Sequence, residues 1–230
     1  MPEGEASGKF NVPELFIMRY GTEVFKECNH CGGCLTLRPL LEVDARTASL
    51  WSDGYVDSPM VPQQSLLVKC GHCKAEVWLP ELKAAPEGKD NAMAYQSLDE
   101  DELWALIEEY GKQPSEHQLY IRLRLWQLAN HKYRTEKATL VQWSERERSN
   151  MEALLLILNM DAVQERLLAA ELLRQLGNFE RAREPLQVEF EGSAFEVSKL
   201  LLQRIKQQKQ QVFKCRLPAS FDDLKTDNCA

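Results

Sequence analysis

The chain has 230 residues and a mass of 26.4 kDa, with 44% apolar and 27% charged residues, a globular balance that excludes a wholly disordered protein. Lys and Arg total 28 against 35 Asp and Glu, and the resulting charge of −7 argues against broad binding to nucleic-acid phosphates. No apolar run approaches the roughly 18 residues of a membrane span, and the opening MPEGEASGKF has neither the basic start nor the apolar core of a secretory signal, so the expectation is a cytoplasmic protein.

In chain order, residues 1–14 are expected to be a flexible N-terminus, and 15–82 a small cysteine-bearing domain. Five of the seven cysteines fall in two clusters, CNHCGGC and CGHC. Clustered thiols without a signal peptide are metal ligands or redox groups more often than disulfides. Cys28-x2-Cys31 and Cys70-x2-Cys73 have the spacing that lets two tight turns aim four thiolates at one ion. The pattern predicts one structural Zn2+ on Cys28, Cys31, Cys70 and Cys73, in an antiparallel zinc ribbon. Gly32 fits a position of positive φ after the second thiol, and Gly71 is expected to supply similar freedom.

Cys34 opens an alternative. It could replace Cys31 in the first pair, or complete a C-x2-C-x2-C set for an iron–sulfur cluster. His30 and His72, each one residue before a knuckle's second cysteine, are candidate substitute ligands or exposed turn residues. Between the knuckles, Ser52-Asp53-Gly54 flanked by Leu50-Trp51 and Tyr55-Val56 predicts an extra hairpin of the ribbon. Leu66 to Val68 and Val77 to Leu79 predict strands entering and leaving the second knuckle.

Residues 83–96 are polar with Pro86 and Gly88 and read as a linker. From 97 to 213 the pattern is helical. Capping-box spacing begins helices at Ser97/Glu100, Ser115/Gln118, Ser144/Glu147, Asp161/Gln164 and Ser193/Glu196, with a further helix over Phe179 to Phe190. Gly111 and Gly177 are expected stops. Residues 214–230 read as a docked strand or turn, near Cys215, followed by a loose tail that holds Cys229.

No P-loop, G-x-G-x-x-G, G-x-S-x-G or HExxH occurs, so the sequence predicts a non-enzyme. The acids of LDEDELWALIEEY read as a solvated helix start. The basic residues Lys199, Arg204, Lys206, Lys209, Lys214 and Arg216 read as a solvated face.

ERLLAAELLRQLGNFERAREPL resembles a tetratricopeptide repeat, with Ala170 and Ala182 as its small residues and Leu176-Gly177-Asn178-Phe179 as its turn. Pro185 departs from that pattern and should kink or split the second helix. With Cys28-x2-Cys31-Gly32, the Trp51 hairpin with Pro59-Met60, and the knuckle running from Leu67 to Trp78, the whole chain resembles an uncharacterised bacterial family that joins an N-terminal zinc ribbon to tetratricopeptide-like helices. The resemblance implies an α+β protein: a small β zinc ribbon followed by an all-α array of helical hairpins. It carries an architecture and a metal but no activity; the repeat-like hairpin and the lack of a catalytic motif lead to the expectation of a zinc-binding adaptor that meets another protein through its helices. The rival expectations are a nucleic-acid-associated ribbon protein and an iron–sulfur or thiol redox protein.

Overall fold

The computed structural model describes residues 19–42, 48–58, 65–86, 91–110, 116–135 and 140–215. The expected flexible N-terminus, the loose tail with Cys229, Pro59-Met60, Gly111 and the Ser115 cap lie outside them. A β-rich N-terminal part carries the two cysteine clusters and is followed by α-helices.

The strands around the knuckles are short. β2 (Val24–Glu27) and β3 (Cys34–Leu37) form an antiparallel pair closed by the first knuckle. β7 (Leu67–Lys69) and β8 (Glu76–Trp78) do the same around the second. β1 (Arg19–Tyr20) and β4 (Leu40–Glu42) make a separate two-stranded sheet. The stretch expected as a linker also pairs. β9 (Lys83–Ala84) joins β2, β10 (Met93–Ala94) runs parallel to β3, and β11 (Gln96–Ser97) joins β7. These two-residue strands are exposed, so they leave backbone hydrogen bonds but no apolar alternation to read. No sheet closes into a barrel among the described residues.

The expected hairpin is present as β5 (Ser49–Trp51) and β6 (Val56–Asp57), with Gly54 at φ +75° in its turn. Its location corrects the expectation. It does not extend either knuckle sheet. It pairs with β12 (Lys214–Cys215), the docked strand near the C-terminus, and packs on the helices.

The helices are α1 (Glu100–Tyr110), α2 (Glu116–Thr135), α3 (Glu145–Ile157), α4 (Val163–Gln175) and α5 (Gly192–Lys206). The Ser144/Glu147 capping box forms as expected. Other starts move. α1 is capped by Asp99 with Glu102, each bonding the other's backbone N–H at 2.9 Å, because Ser97 is held in β11. α4 starts after Ala162 without a side-chain cap, and α5 after Glu191, so neither Asp161 nor Ser193 serves. At the far end of α4, Gly177 takes φ +82°, and N–H bonds from Asn178 to Leu173 and from Gly177 to Arg174 close the helix.

The expected helix over Phe179 to Phe190 is instead a six-residue 3-10 turn, Arg181–Leu186. Pro185 explains the difference, since it lacks an N–H and its ring meets the carbonyl four residues back. Ala170 and Ala182 are fully buried between α4 and this turn, as small residues at a close approach. Among the described residues the repeat-like segment is one α-helix packed against a 3-10 turn, and no tandem helical-hairpin geometry is established.

Two buried polar clusters hold the hairpin to the helices. Asp53, 0% exposed, pairs with Arg134 and accepts from Asn130 Nδ2 at 2.9 Å, while its backbone carbonyl accepts from Gln127 at 3.3 Å. Beside it, Ser52 Oγ donates to Glu171 at 2.7 Å and accepts the Phe213 N–H at 3.1 Å. Glu171 is also held by Arg174 at 2.6 and 2.7 Å and by Gln175 at 2.7 Å; Gln175 in turn accepts from Trp126 at 2.9 Å. Arg174 continues to the backbone carbonyls of Lys209 and Gln211. Each buried charge has an opposite charge and further hydrogen bonds, the condition under which burial is tolerated. Asp53→Ala would strand Arg134 and should cost about 3–5 kcal/mol. Asp57→Ala, at an exposed position, should stay within about 0.5 kcal/mol. Urea unfolding of the full chain, followed by tryptophan fluorescence, checks both.

Candidate metal centre

The two knuckles repeat one backbone design. Cys28 N–H bonds the Gly33 carbonyl at 2.9 Å, and Cys70 N–H bonds that of Ala75 at 2.9 Å. Gly32 N–H bonds back to Cys28, and Lys74 N–H to Cys70. Gly32 and Lys74, the residues after each second cysteine, share φ values of +68° and +64°. Gly32 is the expected residue for that conformation; Lys74 adopts it at a steric cost and bonds Gly71 O through Nζ at 3.1 Å. Gly71 has another role than backbone freedom. A Cβ there would lie 2.4 Å from the Ala94 carbonyl, so β10 crosses directly over the knuckle.

The strands bring both turns together. The ligand atoms of Cys28, Cys31, Cys70 and Cys73 all lie within 4.8 Å of one another. Cys28 Sγ is 3.9 Å from Cys73 Sγ, and Cys31 Sγ is 3.9 Å from Cys70 Sγ. Four Zn–S bonds of about 2.3 Å in a tetrahedron give sulfur–sulfur edges of about 3.8 Å. A disulfide would need about 2.05 Å. The site is therefore able to hold one metal ion. Cys28 and Cys70 are buried, and Cys31 and Cys73 exposed, so it lies at the protein surface with one thiol of each pair turned inward.

Backbone N–H groups face the sulfurs. His30 N and His72 N approach Cys28 and Cys70 at 3.4 Å, and Gly33 N approaches Cys31 at 3.4 Å. Such donors favour thiolate. At Cys70 burial opposes ionisation, but the Cys73 and His72 N–H groups and neighbouring thiols win and bring its pKa down to about 7. Burial pushes the Cys28 thiol up. At Cys31 the Gly33 N–H lowers the pKa, but neighbouring thiols and desolvation outweigh it and push it up to about 12.

Cys34 does not join the cluster. It begins β3 with its side chain buried, so neither the Cys34 substitution nor the three-cysteine set is the arrangement formed. Neither histidine belongs to the cluster. His72 bridges the knuckles, with its Nε2 2.9 Å from the Cys34 carbonyl. A carbonyl only accepts, so Nε2 carries the hydrogen and is not a ligand there. A Cβ on Gly33 would strike the His72 ring at 2.6 Å, a contact that spacing alone did not reveal.

β7 connects the centre to the helices. Val68 faces the knuckle core with Cys28, Leu35, Cys70, Val77 and Leu82. Leu67, one residue earlier, faces the opposite core with Leu103, Trp104, Ile121 and Leu125. Lys69 then pairs with Glu102 in the first turn of α1. Among the described residues no helix is long and apolar enough to cross a membrane. Of the basic residues expected on one face, Lys199, Arg204 and Lys206 lie on α5, Lys209 follows it and Lys214 is in β12, while Arg216 lies outside the described residues; Lys199 pairs with Glu196, and Arg204 stacks on Phe213. Compared with protein-family models, curated proteins and solved structures, the chain matches none.

Two outcomes follow from this geometry. Cys70→Ser should reduce bound metal by at least about tenfold, whereas Cys34→Ser should retain it, as measured by metal analysis after gel filtration. Metal binding must also release the protons held by Cys28 and Cys31. All four ligands bind as thiolates, so apparent affinity falls as pH falls. Chelator competition between pH 6.5 and 8.5 should show affinity rising with pH by at least about tenfold per pH unit.

Proposed function

We propose that the chain is a non-catalytic zinc protein that acts as a protein-interaction module. One structural Zn2+ on Cys28, Cys31, Cys70 and Cys73 braces the cysteine-bearing part, 15–82. The helical part, 97–213, presents the partner surface. The observation that carries the metal reading is the pair of 3.9 Å sulfur–sulfur edges in an all-thiol set. Zinc favours such a shell, and four protein ligands leave no open position of the kind a catalytic zinc uses. An iron–sulfur cluster would place iron and sulfide between the thiolates and spread them beyond this spacing. A thiol-rich metal site also suits a reducing compartment, which supports a cytoplasmic location.

The interaction reading rests on apolar side chains left in solvent at the α3–α4 turn. Leu156 is 86% exposed, and Met160 and Val163, four and seven residues further on, are 36% and 43% exposed. Exposed apolar patches rimmed by polar residues are surfaces that protein contacts use. Leu156→Glu with Met160→Glu should leave the unfolding midpoint within about 0.5 kcal/mol and abolish capture of one discrete partner. Affinity purification of tagged wild type and variant, compared by quantitative mass spectrometry, reads this directly. An unchanged partner profile, or a salt-sensitive nucleic acid as the only bound species, would overturn the module reading.

A further inference from the structure

We propose that Cys31 and Cys73 are sites of reversible oxidation by hydrogen peroxide, with Cys70 and Cys28 closing the products into two disulfides that take the place of the metal. The inference rests on the structural-zinc reading and adds a regulation of that same site.

Exposure divides the four sulfurs into two kinds. In a metal-loaded shell all four are thiolates, so access separates them more than ionisation does. Cys28 and Cys70 are 2% and 0% exposed, whereas Cys31 and Cys73 face solvent. An oxidant arriving from solvent therefore meets Cys31 or Cys73 first. Each has a buried thiol of the other knuckle within reach. Cys70 Sγ is 3.9 Å from Cys31 Sγ, and Cys28 Sγ is 3.9 Å from Cys73 Sγ. An accessible thiolate poised next to a resolving thiol is the arrangement that reversible oxidation uses. Cys34 and Cys215 do not share it, since both are buried and stand outside the cluster.

The chemistry balances with peroxide as the one co-reactant. The Cys31 thiolate attacks the O–O bond, which breaks to give a sulfenic acid and a hydroxide ion. The Cys70 thiolate then attacks the Cys31 sulfur, the S–O bond breaks, and a second hydroxide leaves as the disulfide forms. The two sulfurs together lose two electrons, and the peroxide gains them. Cys73 and Cys28 repeat the step with a second peroxide. Metal binding needs free thiolates, so the bridged site cannot hold the ion.

The bridges join the knuckles across chain separations of 39 and 45 residues, the same closure that the metal provides. His72 also spans the two turns, through the Cys34 carbonyl, and β10 crosses the second. Oxidation thus discharges the ion while the knuckles stay together.

The test adds hydrogen peroxide at about tenfold molar excess to the anaerobically prepared, metal-loaded full chain. A chromogenic zinc chelator follows release against a sample without peroxide. Tandem mass spectrometry maps the sulfurs in portions trapped with dimedone, which labels sulfenic acids, or with an alkylating reagent. The expected result is full release, dimedone on Cys31 or Cys73, and final bridges Cys31–Cys70 and Cys28–Cys73. Cys34 and Cys215 should stay reduced, the gel-filtration volume unchanged, and zinc should rebind after dithiothreitol. First adducts on Cys28 or Cys70, bridges within one knuckle or to Cys34, or release that dithiothreitol does not reverse would each overturn the proposal. A loaded chain that keeps its zinc overturns this inference alone, whereas a chain that holds no zinc before peroxide is added overturns the structural-zinc reading with it.

Discussion

Four thiols drawn to one point are the constraint on which the N-terminal part depends. The strands around them are two to four residues long, and each sheet offers only a few apolar side chains to its core. Sheets this small do not bury enough surface to stabilise themselves. The two knuckles lie 39 and 45 residues apart along the pairs that approach most closely. Bringing them together costs loop entropy that a metal ion can offset on binding. The secondary contacts are arranged around that closure, with β10 crossing the second knuckle and His72 reaching the backbone of the first.

The constraint extends to the helices because β7 is a two-faced strand. A strand places successive side chains on opposite faces, so Val68 and Leu67 enter different cores. The second tie is the hairpin between the knuckles, whose Ser52 and Asp53 sit in buried ionic networks with α2 and α4. Among the described residues the cysteine-bearing segment is thereby fastened to the helices through β7, by apolar packing and the Lys69–Glu102 pair, and through the hairpin's buried ionic networks. The ionic tie is more selective than strong, since buried pairs roughly repay their own desolvation while a single broken partner is costly.

The sequence made the metal centre legible because ligand spacing is a local property. Cys28-x2-Cys31 and Cys70-x2-Cys73 each fit one turn, and the Ser52-Asp53-Gly54 hairpin and the Gly177 helix exit are local in the same sense. What was hidden was long-range. Asp53 reads as a turn residue, and no local motif marks Glu171 or Arg174, yet all three are buried because partners arrive from 35 to 119 residues away. Lys83–Ala84, Met93–Ala94 and Gln96–Ser97 form strands through backbone bonds alone, without the alternation that would announce them. Pro185 gave a correct local warning; its consequence is a 3-10 turn where a second repeat helix was expected.

The most direct test of the account is metal analysis with X-ray absorption at the metal edge on anaerobically purified full-length protein. The account predicts one zinc per chain surrounded by four sulfurs at about 2.3 Å, with no nitrogen or oxygen in the shell. Iron with a metal neighbour at short range, or a histidine nitrogen in place of a sulfur, would contradict it.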